Sequence, residues 1–203
     1  MATTVFLLSP ASCAGKRTQV LLNERADFGL AIRLRAQGAA LGEVFSFLSG
    51  LYFRGKLAYA RAFAAPPPGV DGVAVITTHR GLLAVDETVT AADIRAFGSV
   101  SIHAADVRYT APLRADALRL RAQSGPGARV VLLGSIATDK YTEILLDVFA
   151  GDLVFPEAFI GRGDMSRGGL LLRCVDEGRE LDYIPVRGAT RRGRRPPKLA
   201  PRR

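Results

Sequence analysis

Short apolar runs alternating with amphipathic stretches predict a single α/β domain. Its mostly parallel central sheet is flanked by helices in three layers. Two segments carry most of this expectation. "ARVVLLGS" (128–135) is a continuous apolar run bounded by turn residues, the pattern of a strand buried on both faces. "TDKYTEILLDVFA" (138–150) follows at once with helical spacing, and Thr138 stands at the N-cap position. A third observation is repetition: "TVFLLS" (4–9) and "GVAVITT" (72–78) have the same buried-strand texture and are also followed by helical stretches or turns.

The remaining elements follow in order. Residues 15–38 read as a helix through Val20, Leu21, Phe28, Ile32 and Leu34, ended by Gly38. Residues 41–64 read as a second helical stretch that bends or splits at Gly50 or Gly55. "APPPG" breaks the chain there. "TAADIRAF" is a short helix with Thr90 as N-cap. "GSVSIHA" (98–104) alternates and reads as a third strand. Residues 112–123 form an amphipathic helix, "DLVFP" a short strand, and 169–175 a strand or the start of a helix. "ELDYIPV" (180–186) closes the body.

The net charge of +9 is uneven along the chain. Residues 187–203, "RGATRRGRRPPKLAPRR", hold eight basic residues, three prolines and no acid, leaving residues 1–186 with 20 basic and 19 acidic groups. The organisation expected is an α/β domain over 1–186 and a basic, disordered tail over 187–203. Such a tail attracts phosphate without reading sequence, so the expected partner is DNA or RNA. The plainer alternative is a solvated terminus. No apolar run approaches the ~20 residues of a membrane span. The start, "MATTVFLLSPASC", has no basic leader, so a cytoplasmic location and no membrane partner are expected. Two cysteines and two histidines with no close pairing predict no metal site, and no cofactor is expected.

Ligands of open parallel sheets bind beyond the carboxyl ends of the strands. The segments expected there are "SPASCAGKR" (9–17), "TTHRG" (77–81), His103 with Asp106, "GSIATDKY" (134–141) and "FIGRGDMSRGG" (159–169). The first offers Ser12, Lys16 and Arg17 to an anion. Pro10 and Arg17 replace the glycine and hydroxyl that a nucleoside-triphosphatase loop needs. Tyr52 and Arg54, in "LYFRGK", suit base stacking and phosphate contact, although aromatics at helical spacing more often fill a core. His79 suits a general acid or a donor to a developing anion, with Arg80 beside it. Ser135, Asp139 and Lys140 stand in the fourth loop, where Asp139 also suits a helix start. In the fifth loop, Arg162 and Arg167 suit a bidentate grip on phosphate or carboxylate. Asp164 between them would be held ionised as an orienting acceptor or base, and the glycines would admit a ligand close to the backbone. The plainer reading is an Arg–Asp network bracing a tight loop.

The order of "LLSPASCAGKR", "LYFRGKLAYA", "VITTHRGLLAVDETV", "VVLLGSIATDKYTEIL" and "LVFPEAFIGRGDMSRGG" resembles small bacterial α/β proteins near the peroxide-stress protein family. A more distant likeness is to the uracil-DNA-glycosylase-like fold. The resemblance covers most of residues 4–173 and implies nucleic-acid association or handling of a nucleobase.

The function expected is therefore a nucleic-acid-associated protein that handles a nucleobase or nucleoside, with a glycosylase-like hydrolase as its enzymatic form. Asp164 or Asp139 would supply the carboxylate, and His79 or Arg80 the donor to the departing base. The alternatives are a non-catalytic nucleic-acid-binding or stress-protection protein, and a nucleotide- or anion-binding module.

Overall fold

A computed structural model describes residues 3–197 and residue 199. The elements run β1 (Thr4–Leu8), α1 (Lys16–Leu21), α2 (Gly29–Ala36), β2 (Ala39–Ala40), α3 (Leu41–Ser49), α4 (Leu51–Phe63), β3 (Val73–Ile76), β4 (Leu82–Ala84) and β5 (Thr88–Val89). They continue with α5 (Ala91–Ser99), α6 (Val107–Ser124), β6 (Arg129–Leu133), α7 (Asp139–Phe149), β7 (Leu153–Pro156), α8 (Asp164–Asp176) and β8 (Tyr183–Pro185).

The main sheet has the order β4-β3-β1-β6-β7-β8. Its four central strands are parallel, and β4 and β8 add antiparallel edges. Every residue of β1 is buried, as a central strand covered on both faces requires. α4 lies against β1 and β3, with α8 packed along it; α6 and α7 pack on each other and against β4 and β7. The chain moves from β1 to β3 on one side and from β6 to β7 on the other. Right-handed crossovers therefore put the two helix pairs on opposite faces. The α/β class and the parallel sheet are as the sequence predicts.

Three local expectations change. Residues 15–38 form two helices, not one. Asn23 accepts from the Arg25 amide at 2.8 Å, and the Arg35 guanidinium holds the carbonyls of Asn23 and Ala26 at 3.0 and 2.6 Å. These bonds offer the backbone a turn in place of a helix. The stretch 41–64 splits at Gly50, whose φ of 63° and ψ of −130° suit glycine.

The third change is larger. Residues 98–104 form no strand. Thr90 and Asp93 make a reciprocal capping box, and the helix they start runs through Gly98 to Ser99. Asp106 then caps α6 by accepting from the Arg108 amide at 3.0 Å. His103 and Asp106 thus precede a helix rather than follow a strand. Residues 169–175, open to either reading, lie inside α8. No helix among the described residues is long and apolar enough to cross a membrane.

Candidate functional site

The chain leaves β1 toward one side of the sheet and β6 toward the other, so the switch point lies between these adjacent strands. A crevice beyond their carboxyl ends follows from that divergence. A cavity of about 600 Å³ is found there. Its walls come from Pro10–Ala14 after β1, Thr78 after β3, Phe97 and His103 around the end of α5, and Lys140 and Tyr141 at the start of α7. Apolar walls with a few polar groups are the usual make-up of a small-molecule site. Burial pushes the Cys13 thiol up to about 12, which keeps it protonated and unreactive at neutral pH.

Next to this cavity, α4 and α8 cross at unusually close range. A Cβ on Gly55 would lie 2.6 Å from the Gly168 carbonyl oxygen, and a Cβ on Gly168 would lie 2.7 Å from that of Leu51. The two glycines let the helix backbones touch. Their neighbours, Lys56 and Arg167, are thereby brought into one buried polar cluster with Tyr52, Asp164, Tyr141 and Ser9.

Lys56 is 1 % exposed. Its amine donates to the Ser9 carbonyl at 2.5 Å and to Ser9 Oγ at 2.9 Å. It also lies 4.6 Å from the Tyr52 ring centroid and 4.9 Å from that of Phe53. Burial lowers its pKa to about 7; Asp164 raises it and Arg167 lowers it further. Burial raises the Tyr141 phenol, partly offset by a hydrogen bond with the Ser9 side chain. The Tyr52 hydroxyl is buried without a partner, because Arg167 approaches without closing a well-formed hydrogen bond. Burial raises its pKa as well.

The residues singled out from the sequence distribute as follows. Ser12 and Lys140 line the cavity. Tyr52, Asp164 and Arg167 belong to the adjoining cluster. Asp164 is 68 % exposed and stands 3.7 Å from Arg167. Arg162 does not hold Asp164: it donates to the Ala158 carbonyl at 3.0 Å and to Ser166 Oγ at 3.2 Å. Arg167 donates to the Phe159 carbonyl at 3.1 Å while its guanidinium lies over the Phe159 ring. His79 lies just behind the wall, with Nδ1 3.3 Å from the Thr78 hydroxyl and its ring 5.3 Å from that of Phe97. Arg80 bridges Glu87 and Asp93 at 3.3 and 3.4 Å, away from any ligand.

Arg17 is tied to the Phe47 carbonyl at 3.1 Å, while Lys16 and Arg54 are exposed. Ser135 accepts from the Ala137 amide at 3.3 Å and shapes the turn before α7. The glycines of the fifth loop also take a different role from the one expected. Gly168 admits helix α4, and Gly161, at φ 73°, meets the backbone of Gly193 and Arg194.

That last contact belongs to the basic tail. Over its described residues it has no regular secondary structure. Arg191 pairs with Asp139 at 2.6 Å, and the Pro197 carbonyl accepts from Arg162 at 3.5 Å. Residues 198 and 200–203, also assigned to the tail, lie outside the described residues.

No family model, curated protein or solved structure matches this chain.

Ser9, Lys56 and Tyr141 were missing from the residues chosen by sequence. Lys56 did leave a trace: it lies among Tyr52, Phe53, Tyr59 and Ala60, which form one helical stripe buried in the fold. A lysine inside an apolar stripe has an internal partner or a shifted proton equilibrium. Ser9 and Tyr141 left no comparable trace, because each sits at the edge of an ordinary strand or helix.

Proposed function

We propose that the protein binds a nucleobase or nucleoside, free or within a nucleic acid, in the cavity between β1 and β6. The observation that carries this reading is the position of the cavity at the switch point of a parallel sheet, where such folds hold their ligands. Phe97 and small side chains offer an apolar wall to a flat ring, and Lys140 and Ser12 offer donors at the rim. The basic tail supports the nucleic-acid form of the reading. Its ion pair from Arg191 to Asp139 brings cationic chain to the N-terminus of α7, next to cavity-lining Lys140. Kinship with the peroxide-stress proteins and a uracil-DNA-glycosylase-like fold belong to the same proposal, as does hydrolysis of a glycosidic bond with Asp164 or Asp139 as the carboxylate.

The test is calorimetric titration of a nucleoside panel and a short single-stranded oligonucleotide into wild type and Ser101→Trp. Ser101 lines the cavity on an exposed loop, so the indole fills space without entering the core. Binding by wild type and its loss in S101W are expected. Equal binding by both proteins places the ligand elsewhere, and binding without release of free base selects the non-catalytic form of the reading.

A further inference from the structure

The buried amine of Lys56 is held in an unusual way. Among the described residues its printed hydrogen bonds go to neutral oxygens, both on Ser9, and none of the ion pairs includes it. An ammonium buried only for anchoring is better matched by a carboxylate in contact with it. Here the nearest carboxylate influence is that of Asp164, which acts from a distance and is opposed by Arg167. The groups facing the amine are Ser9 from β1, Tyr52 from its own helix, Tyr141 from α7, and Asp164 and Arg167 from α8.

The contact continues outward. Ser9 Oγ accepts from Lys56, and the same side chain hydrogen-bonds Tyr141, a residue of the cavity wall. A chain of exchangeable protons therefore runs from the core to the cavity. The orphan hydroxyl of Tyr52 lies in the same cluster, and a buried polar atom without a partner is rare unless something else completes its site.

We infer that Lys56, Ser9 and Tyr141 form a proton relay serving the ligand in the cavity, with Tyr141 as the donor at the wall and Lys56 as the internal proton store. This rests on the nucleoside reading for the identity of the ligand. As the glycosidic C–N bond breaks, its electron pair stays on the base nitrogen, which takes the Tyr141 phenolic proton. The Ser9 hydroxyl proton passes to the Tyr141 oxygen, and the Lys56 ammonium replaces it, leaving a neutral amine. Water adds its hydroxyl to the sugar carbon, and the proton it releases restores the ammonium. Lys56 touches no substrate and is a positioning residue, acting through Ser9. An amine titrating near neutrality suits that duty, since it can give and regain a proton at working pH.

The test reads the relay directly, with or without turnover. The sequence has four lysines and five tyrosines. Labelling with ¹⁵Nζ-lysine and ¹³Cζ-tyrosine therefore gives few NMR signals, assigned with Lys56→Met and Tyr141→Phe. In wild type, Lys56 is expected to titrate near pH 7, with the Tyr141 signal shifting at the same midpoint. In Ser9→Ala the Tyr141 response disappears while Lys56 still titrates, and Ser9→Thr, which keeps the hydroxyl, restores it. A Lys56 that stays charged above pH 9, or a Tyr141 signal indifferent to it, overturns the relay. So does a response unchanged in S9A. Should S9A fail to fold, the link between the wild-type midpoints and its retention in S9T decide. If no nucleoside binds, the function proposed above falls while the titration still decides whether the relay exists.

Discussion

Replacing Lys56 by methionine is expected to alter how stability depends on pH. The amine's pKa falls from an ordinary 10.5 to about 7 in the folded state. Between these values the unfolded chain holds a proton that the folded chain lacks, so stability rises with pH. Below pH 7 both states are protonated, and the full penalty of a buried ammonium is present. The slope is about 1.4 kcal/mol per pH unit, and the whole window is worth about 5 kcal/mol. Methionine removes the titrating group but keeps an unbranched apolar chain, and it adds a pH-independent cost because Ser9 loses a donor. Wild type should therefore gain about 3 kcal/mol on Lys56→Met between pH 7.2 and pH 9.4.

The raised tyrosine phenols have the opposite sign. They keep protons that the unfolded chain releases, so they reduce stability above about pH 10. They are common to both proteins and cancel in the difference. Urea unfolding followed by far-UV circular dichroism at several pH values gives the curves, since the chain has no tryptophan. A difference between the two proteins that stays constant from pH 7 to 9.4 would refute the reasoning: the folded protein would then hold Lys56 charged throughout, through a partner stronger than Ser9.

Gly168→Ala would push a methyl carbon to 2.7 Å from the Leu51 carbonyl and should cost about 1–3 kcal/mol in urea unfolding, the usual range for overpacking. Thr90→Ala removes one half of the capping box of α5 and should cost about 1 kcal/mol by the same assay. Deleting residues 187–203 should flatten the salt dependence of oligonucleotide binding, read as the slope of log affinity against log salt; identical slopes would remove the tail from phosphate contact. Asp164→Asn should abolish release of base from a bound nucleoside while largely sparing its binding, and unchanged turnover would take Asp164 out of the chemistry.

Much of the fold was legible because it depends on local pattern. Buried strands announced themselves as apolar runs at 4–9, 72–78 and 128–135, and Thr90 announced a helix start through its own hydroxyl. The misread stretch 98–104 shows the limit. Its alternating residues carry a strand pattern, but the capping box upstream and the Asp106 cap downstream claim both of its ends for helices. The site was legible as a place but only partly as a set of residues. Ser12 and Lys140 reach the cavity because they follow the strands that diverge there. Arg80 and Arg162 have the right chemistry and nearby loops, yet carboxylates hold the first, and backbone and Ser166 oxygens hold the second.

The sequence alone determined an α/β alternation, an almost neutral body and a basic end, because periodicity and charge are properties of neighbouring residues. Only the tertiary structure decided that Lys56 is a buried amine rather than a surface cation. Its surroundings are set where α4 crosses α8 at Gly55 and Gly168, two positions far apart in the chain. The same crossing recast "FIGRGDMSRGG", whose glycine at 168 admits a helix and whose Arg167 joins the cluster behind the cavity. Contact between distant segments governs desolvation, and desolvation governs whether a side chain holds its proton.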